Sequence, residues 1–369
     1  MNFGFTEEQE LLRDQVRKFL DQQCPSEQVR KIMKTAEGYD TGMWQQMAEL
    51  GWLGLIVDTD YDGVGLGWVD LTVVLEEMGR SLFPSPFISN TLAASTIAEL
   101  GNEEQKKQLL PALSKGQKIA TLALLDNPGN PLIDNITLSG EPTDTGIRLT
   151  GTKPFTPDAG TADIFLTACQ VDGKLHLAII DREQAGVDAS NSPTMDETKR
   201  TGPLTLDKVE VDNTQLIALD ETQLARIFDK GVVAVTAEMI GAAERATWMT
   251  SDYAKERIQF GQPIGKYQGV KHRLAEMYVD VESFKSLLYY AAWTVDESPD
   301  ELPRSASLAK AYASDAFAQI GIDGVQLHGA IGFTQEYDIQ LYLKRSKWAR
   351  PAFGDSDFHF ERVATIGAL

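Results

Sequence analysis

Two cysteines, Cys24 and Cys169, are all that this 369-residue chain holds, so neither a disulfide framework nor a cysteine metal cluster is available to it. Its four histidines (His176, His272, His328 and His359) are scattered without ligand spacing, and no metal site is expected. Positive charge is scarce too: 34 Lys and Arg stand against 54 Asp and Glu, a net charge of −20. Nucleic acid and anionic membrane surfaces both demand clustered basic side chains, so neither is an expected partner. An acidic surface favours solubility and neutral or basic partners, and it has no bearing on fold. No stretch approaches the roughly 20 consecutive apolar residues needed to span a bilayer. The opening residues, Met1-Asn-Phe-Gly-Phe-Thr-Glu-Glu-Gln, are acidic and lack the basic and apolar parts of a secretory signal. The expected compartment is therefore the reducing cytoplasm.

What the chain does hold is apolar residues, 43% of the total, enough for the cores of two or three domains. Thr6 and Gln9 form a capping-box pair that opens a helix to about Gln22, with Leu11, Leu12, Val16 and Phe19 on one face. Helical spacing recurs at Met43 to Leu50, Val69 to Met78, Leu92 to Leu100 and Glu103 to Leu113. Residues 1–117 therefore read as an α-helical domain.

The period then changes. Ile119 to Leu125 is a short apolar run, and Ile147 to Gly151 alternates. Asp163 to Cys169 and Lys174 to Ile180 flank Val171-Asp172-Gly173, a hairpin turn signal. Alternation returns at Leu204, Leu206, Val209 and Val211, which makes residues 118–218 an antiparallel β domain. From about Gln223 the helical period persists to the end. Phe228 to Ala254 is apolar nearly all round, from Val232 through Met239 to Trp248, and belongs inside a bundle. Helices over Lys266 to Val295, Ser305 to Leu327, Gln335 to Ala349 and from about Ser356 complete a four-helix bundle domain over 219–369. The fold class is α+β.

Three glycine-containing clusters interrupt these last helices. Arg257-Ile-Gln259-Phe260-Gly261-Gln-Pro263-Ile-Gly265-Lys-Tyr-Gln268 reads either as an interhelical turn, with Gly261 and Gly265 at positive φ, or as a guanidinium and amides suited to a pyrophosphate. Gln326-Leu-His-Gly329-Ala-Ile-Gly332-Phe-Thr334-Gln-Glu-Tyr337 is a helix break where a chain segment or cofactor can approach the backbone, with Thr334 as a cap for the next helix. Phe353-Gly-Asp355-Ser-Asp357 reads as an N-cap with acids at a helix dipole.

Taken together, the helix–β–helix order, the Arg257 turn and the Gln326 loop resemble the acyl-CoA dehydrogenase family, and Phe5-Thr-Glu-Glu-Gln and Gly151-Thr-Lys-Pro-Phe155 fit the same pattern. The resemblance spans the chain. It implies FAD held between subunits of a tetramer, an acyl-CoA substrate and an electron-transferring flavoprotein as acceptor. It implies that Arg257, Gln259 and Phe260 contact pyrophosphate and ribose, and that Gln268, Gln326 and Gly329 embrace the adenine side. Phe155 matches the aromatic against the flavin ring, and Asp229 a coenzyme A contact. The reaction implied is removal of the α proton by a carboxylate as the β hydrogen leaves as hydride.

The chain departs from the family where that carboxylate belongs. The usual Glu before the Gly of the C-terminal turn is Phe353, and the alternative position on the first bundle helix is Gly231. The Thr-Glu-Pro stretch is Asp126-Asn-Pro128, where an acid would oppose an anionic reduced flavin. The Trp-Ile-Thr stretch is Phe155-Thr-Pro157, and Pro157 offers no N–H. The helix Arg expected near Asp229 is Val232. Such a pattern resembles the subunit of bacterial heterotetramers that completes a paralogous partner's flavin site. Two alternatives stand beside it: a self-sufficient homotetramer whose base has moved to Asp355, with Glu238 and Glu244 as weaker candidates, and a flavin-free assembly protein. Ala237, Met239 and Trp248 are expected to line or back the acyl region.

Overall fold

The computed structural model describes residues 5–127 and 136–367. In chain order its helices are α1 (Glu7–Gln23), α2 (Ser26–Ile32), α3 (Thr41–Glu49), α4 (Trp68–Arg80), α5 (Phe87–Leu100), α6 (Glu103–Ser114), α7 (Glu221–Glu256), α8 (Gln268–Glu297), α9 (Leu302–His328), α10 (Ile339–Ala349) and α11 (Ser356–Ile366). The strands are β1 (Ala120–Ala123), β2 (Gly140–Pro142), β3 (Gly146–Pro157), β4 (Ile164–Val171), β5 (Lys174–Asp181), β6 (Val187–Ala189), β7 (Thr201–Asp212) and β8 (Leu216–Ala218), with a short hairpin of β9 (Ile258–Gln259) and β10 (Gln262–Pro263). By packing, the chain forms two units: Met1–Arg30, Trp68–Phe83 and Asp229–Leu369 make one, and Lys31–Gly67 with Pro84–Phe228 the other.

In the first unit, α9 packs against α8, α10 and α11, and α4 against α1 and α8. Local chemistry sets the ends of these helices. Thr6 Oγ1 accepts from Gln9 N at 3.2 Å and Gln9 Oε1 from Thr6 N at 3.0 Å, the capping box read from sequence. The α1 face differs from expectation, because Leu11 is 68% exposed while Val16 and Leu20 are buried. Between those apolar residues Arg13 and Arg17 reach Glu76 and Glu77 of α4, so ion pairs hold a face that hydrophobic spacing alone misassigns. On α7, every residue from Gly231 to Ala243 is buried. Trp248, expected inside with them, is 47% exposed and meets Tyr278 edge-on at 6.3 Å.

The second unit contains two four-stranded sheets, ordered β1-β4-β5-β8 and β2-β3-β7-β6. Among the described residues their strand pairings are antiparallel except one: β1 runs parallel to β4, with Ala120 opposite Ile164. That exception corrects the purely antiparallel expectation. The hairpin signal holds, since Asp172 and Gly173 both take left-handed φ, 50° and 74°, between the paired Val171 and Lys174. Among the described residues no helix is long and apolar enough to cross a membrane.

Candidate active site

The turn from Arg350 to Asp355 is tightly constrained. Phe353 sits at φ 55° and Gly354 at φ 90°, two left-handed residues in succession. A bulky residue rarely adopts this region, and it persists only when its surroundings over-determine it. Here they do. Lys310, fully buried on α9, donates from Nζ to the carbonyls of Arg350 and Gly354 at 2.8 Å each and to Ser314 Oγ at 3.0 Å. His359 on α11 donates from Nε2 to the Phe353 carbonyl at 2.8 Å. Burial pushes the Lys310 amine down to about 7 and the His359 imidazole to about 3, so the histidine is neutral, with its proton on the nitrogen that faces the carbonyl.

Held this way, the Phe353 ring lies against α7 at Gly231. A Cβ placed on Gly231 would stand 2.3 Å from Phe353 Cε1 and 2.6 Å from Cζ, well inside contact distance. The two positions where the family resemblance places a carboxylate base therefore touch one another. Asp355 caps α11, accepting from Phe358 N at 3.0 Å. Glu238 pairs with Arg345 at 3.2 Å, both buried, and Glu244 with Lys285 at 2.6 Å.

Asp229 is fully buried, and both its oxygens are engaged by Arg362 of α11 through Nη1 and, at 2.8 Å, Nη2. Burial raises the Asp229 carboxyl while Arg362 opposes that shift. The arginine that helix α7 lacks at Val232 is thus supplied by a different helix, and it takes up the carboxylate that the resemblance assigns to coenzyme A.

At the far end of α7 the β9–β10 hairpin presents its tip to solvent. Phe260 and Gly261 form the two-residue turn at φ 53° and 80°, and Phe260 is 93% exposed. Gly265, expected to share the positive-φ role, does not, and the strained partner is Phe260 itself. Arg257 and Gln268 are exposed, and the Arg257 guanidinium has no ion-pair partner among the described residues. Gln259 is exposed as well, with Nε2 on the neighbouring Ile258 carbonyl at 2.8 Å. The Gln326 loop comes to the same end of the bundle, because Tyr253 of α7 stacks on His328 of α9 with ring centroids 4.4 Å apart. Gly329 closes α9 at φ 66°, with nothing within 4 Å of an added Cβ, and Gln326 is exposed. Thr334, expected to cap the next helix, ends the preceding turn instead, and Asp338 precedes α10 with its carboxylate accepting from Arg30 at 2.6 Å. An unpaired guanidinium and amides beside open glycine backbone and an exposed ring suit an anionic diphosphate with its attached base.

In the second unit Phe155 is 48% exposed, on a stretch of β3 where the register with β7 shifts between Lys153 and Thr156. The Asp126 charge does not stand alone, as its sequence context suggests. Lys153 Nζ lies 2.6 Å from Asp126 Oδ1, both side chains buried, and Asp126 Oδ2 accepts from Thr137 N at 2.6 Å. Desolvation lowers the Lys153 amine and the partner carboxylate opposes that shift. Pro157 gives its carbonyl to Thr121 Oγ1 at 2.7 Å. Pro128 lies outside the described residues.

Lys310, Arg362, Lys153 and the Tyr253–His328 stack carry these arrangements without being singled out by sequence. One signal was available for Lys310: it is the lone charge in the run Ser305-Ala-Ser-Leu-Ala-Lys310-Ala-Tyr-Ala.

Among known proteins, residues 6–117 match the family description "Acyl-CoA dehydrogenase, N-terminal domain" and residues 222–367 match "Acyl-CoA dehydrogenase, C-terminal domain". "Acyl-CoA dehydrogenase IpdE2" of Mycolicibacterium smegmatis is 32% identical over 350 residues, 95% of each chain. A solved chain of the ChsE4-ChsE5 complex from Mycobacterium tuberculosis superposes with a TM-score of 0.92 at 27% identity, covering 100% of this chain and 99% of that one. A chain of a Tcur3481-Tcur3483 steroid ACAD variant does so with a TM-score of 0.90 at 28% identity, covering 98% of both.

Proposed function

The chain belongs to the acyl-CoA dehydrogenase family of flavin-dependent oxidoreductases, and from that premise we propose that it acts in acyl-CoA α,β-dehydrogenation as the base-less subunit of a heterotetramer. Its role is to complete the FAD site of a paralogous partner that carries the carboxylate. The family cofactor is FAD, which when bound accepts the β hydrogen of the substrate as hydride. This chain's contribution is to bind and orient: Arg257 meets the pyrophosphate, Gln259 and Phe260 the ribose side, and Gln268, Gln326 and the open backbone at Gly329 the adenine side. Electrons then leave to an electron-transferring flavoprotein.

The observation that carries this reading is the contact between Phe353 and Gly231. Neither residue can accept a proton, and the ring of one occupies the space a side chain on the other would need. Arg257, exposed and without an ion-pair partner among the described residues, is available to meet a diphosphate, which supports retention of that site. Similarity to a chain of the ChsE4-ChsE5 complex, an assembly of two named components, supports a heteromer. The self-sufficient alternative needs Asp355 as base, and Asp355 Oδ1 is engaged by the N-cap bond from Phe358 N.

The test is the bound-FAD content of the purified chain, alone and co-expressed with its paralogous partner. The proposal expects little FAD alone and about one per pair in the complex. A full equivalent of FAD on the chain alone would reject it.

A further inference from the structure

The Phe353 ring is held in place by more than its own turn. Its backbone is left-handed at φ 55°, a conformation that costs on the order of 1 kcal/mol or more for a bulky residue. Two buried side chains from two other helices keep it there, Lys310 on the flanking carbonyls of Arg350 and Gly354 and His359 on the Phe353 carbonyl itself. The next residue, Gly354, is closed in as well, because a Cβ there would stand 2.4 Å from Phe358 Cδ1. Opposite the ring, α7 has removed its own side chain at Gly231, and at no other residue type would this seat exist. Lys310 and His359 fix the backbone of the turn, and the seat at Gly231 is the one feature that the ring itself requires. These are the features of a part whose position matters.

We propose that Phe353, seated on Gly231, is an aromatic plug that keeps the acyl chain of an acyl-CoA thioester out of this subunit. The inference deepens the reading of the chain as a base-less subunit and rests on it for the identity of the excluded ligand. Under that reading an open acyl site without a base would sequester substrate in an unproductive complex. A ring filling the site removes this competition, so every acyl-CoA that binds does so where the partner's carboxylate can reach it. Exclusion here is steric: under the same reading the ring stands at the base position, beside which the acyl α carbon would lie, and Lys310 and His359 hold the turn's backbone in place.

Isothermal titration of the purified full-length chain tests this with four probes: free CoA, butanoyl-CoA, octanoyl-CoA and dodecanoyl-CoA. For wild type, the acyl-CoAs are expected to bind no more tightly than free CoA. Phe353→Ala is expected to bind octanoyl- and dodecanoyl-CoA at least about tenfold more tightly than free CoA, with affinity rising with chain length. Phe353→Leu, which keeps an apolar side chain in the turn, should show a smaller gain in the same direction and covers the case in which the alanine variant does not fold. A chain-length-dependent gain already present in wild type would overturn the proposal. So would the absence of any gain in a variant that is folded by circular dichroism. FAD content measured on the same samples separates the two claims. Full flavin on the chain alone with a gain in Phe353→Ala rejects the subunit reading and keeps the plug, whereas little flavin with no gain does the reverse.

Discussion

Phe353 Cε1 lies 2.3 Å from the point where a Cβ on Gly231 would stand, so the aromatic ring of the C-terminal turn requires a glycine at this position of the first bundle helix. Gly231→Ala should therefore cost about 1–3 kcal/mol in wild type, the usual penalty for overpacking a filled interior. In a Phe353→Ala background the clash is gone, and the same change should be neutral or stabilising by about 0.5–1 kcal/mol, because alanine is the better helix former. A double-mutant cycle by urea denaturation measures the coupling. Additive effects would mean the ring moves aside freely.

Lys310 should make stability depend on pH in a window of its own. Burial lowers its amine from 10.5 to about 7 in the folded chain. Between those values the unfolded chain binds a proton that the folded chain does not, so stability rises with pH across the window and levels off above 10.5. Lys310→Met should remove that rise, read as the difference between the denaturation midpoints of wild type and variant at pH 6 and pH 9.

Asp355 is expected to behave as a cap rather than a base. Asparagine caps helices as well as aspartate does, so Asp355→Asn should keep both stability and the turnover of the assembled complex. Asp355→Ala should lose about 1 kcal/mol through the bond to Phe358 N, with turnover of the folded complex intact. Loss of turnover in Asp355→Asn, with stability retained, would make Asp355 the base.

The Asp126–Lys153 pair should be needed intact. Lys153→Met leaves a buried carboxylate without its counter-charge and is expected to destabilise the chain by about 3–5 kcal/mol. Replacing both residues by apolar ones of similar size should recover much of that loss, and thermal unfolding of wild type and the two variants compares them.

Sequence made the local signals legible and left the distant ones out of view. The Thr6–Gln9 capping box and the Asp172-Gly173 hairpin turn depend on residues next to or three positions from one another, and both stand as read. The parallel β1–β4 pairing has no local signature, and the exposure of Leu11 is not read from helical spacing because Arg13 and Arg17 pair with acids of another helix. The candidate site shows the same division. Phe353 and Gly231 were each identifiable as non-basic, yet their contact is tertiary. Lys310 is separated from Gly354 by 44 positions and Arg362 from Asp229 by 133. No periodicity reports partners so far apart, and the Lys153 counter-charge beside Asp126 is likewise a tertiary contact.

The central claim, that this chain helps hold FAD but supplies no base, is tested most directly by anaerobic titration of acyl-CoA into the purified chain and into its complex, followed by flavin absorbance. Bleaching should occur in the complex only, and Arg257→Ala in this chain should lower the FAD content of that complex. Bleaching of a full flavin complement in the chain alone, or an unchanged FAD content in the Arg257→Ala complex, would contradict it.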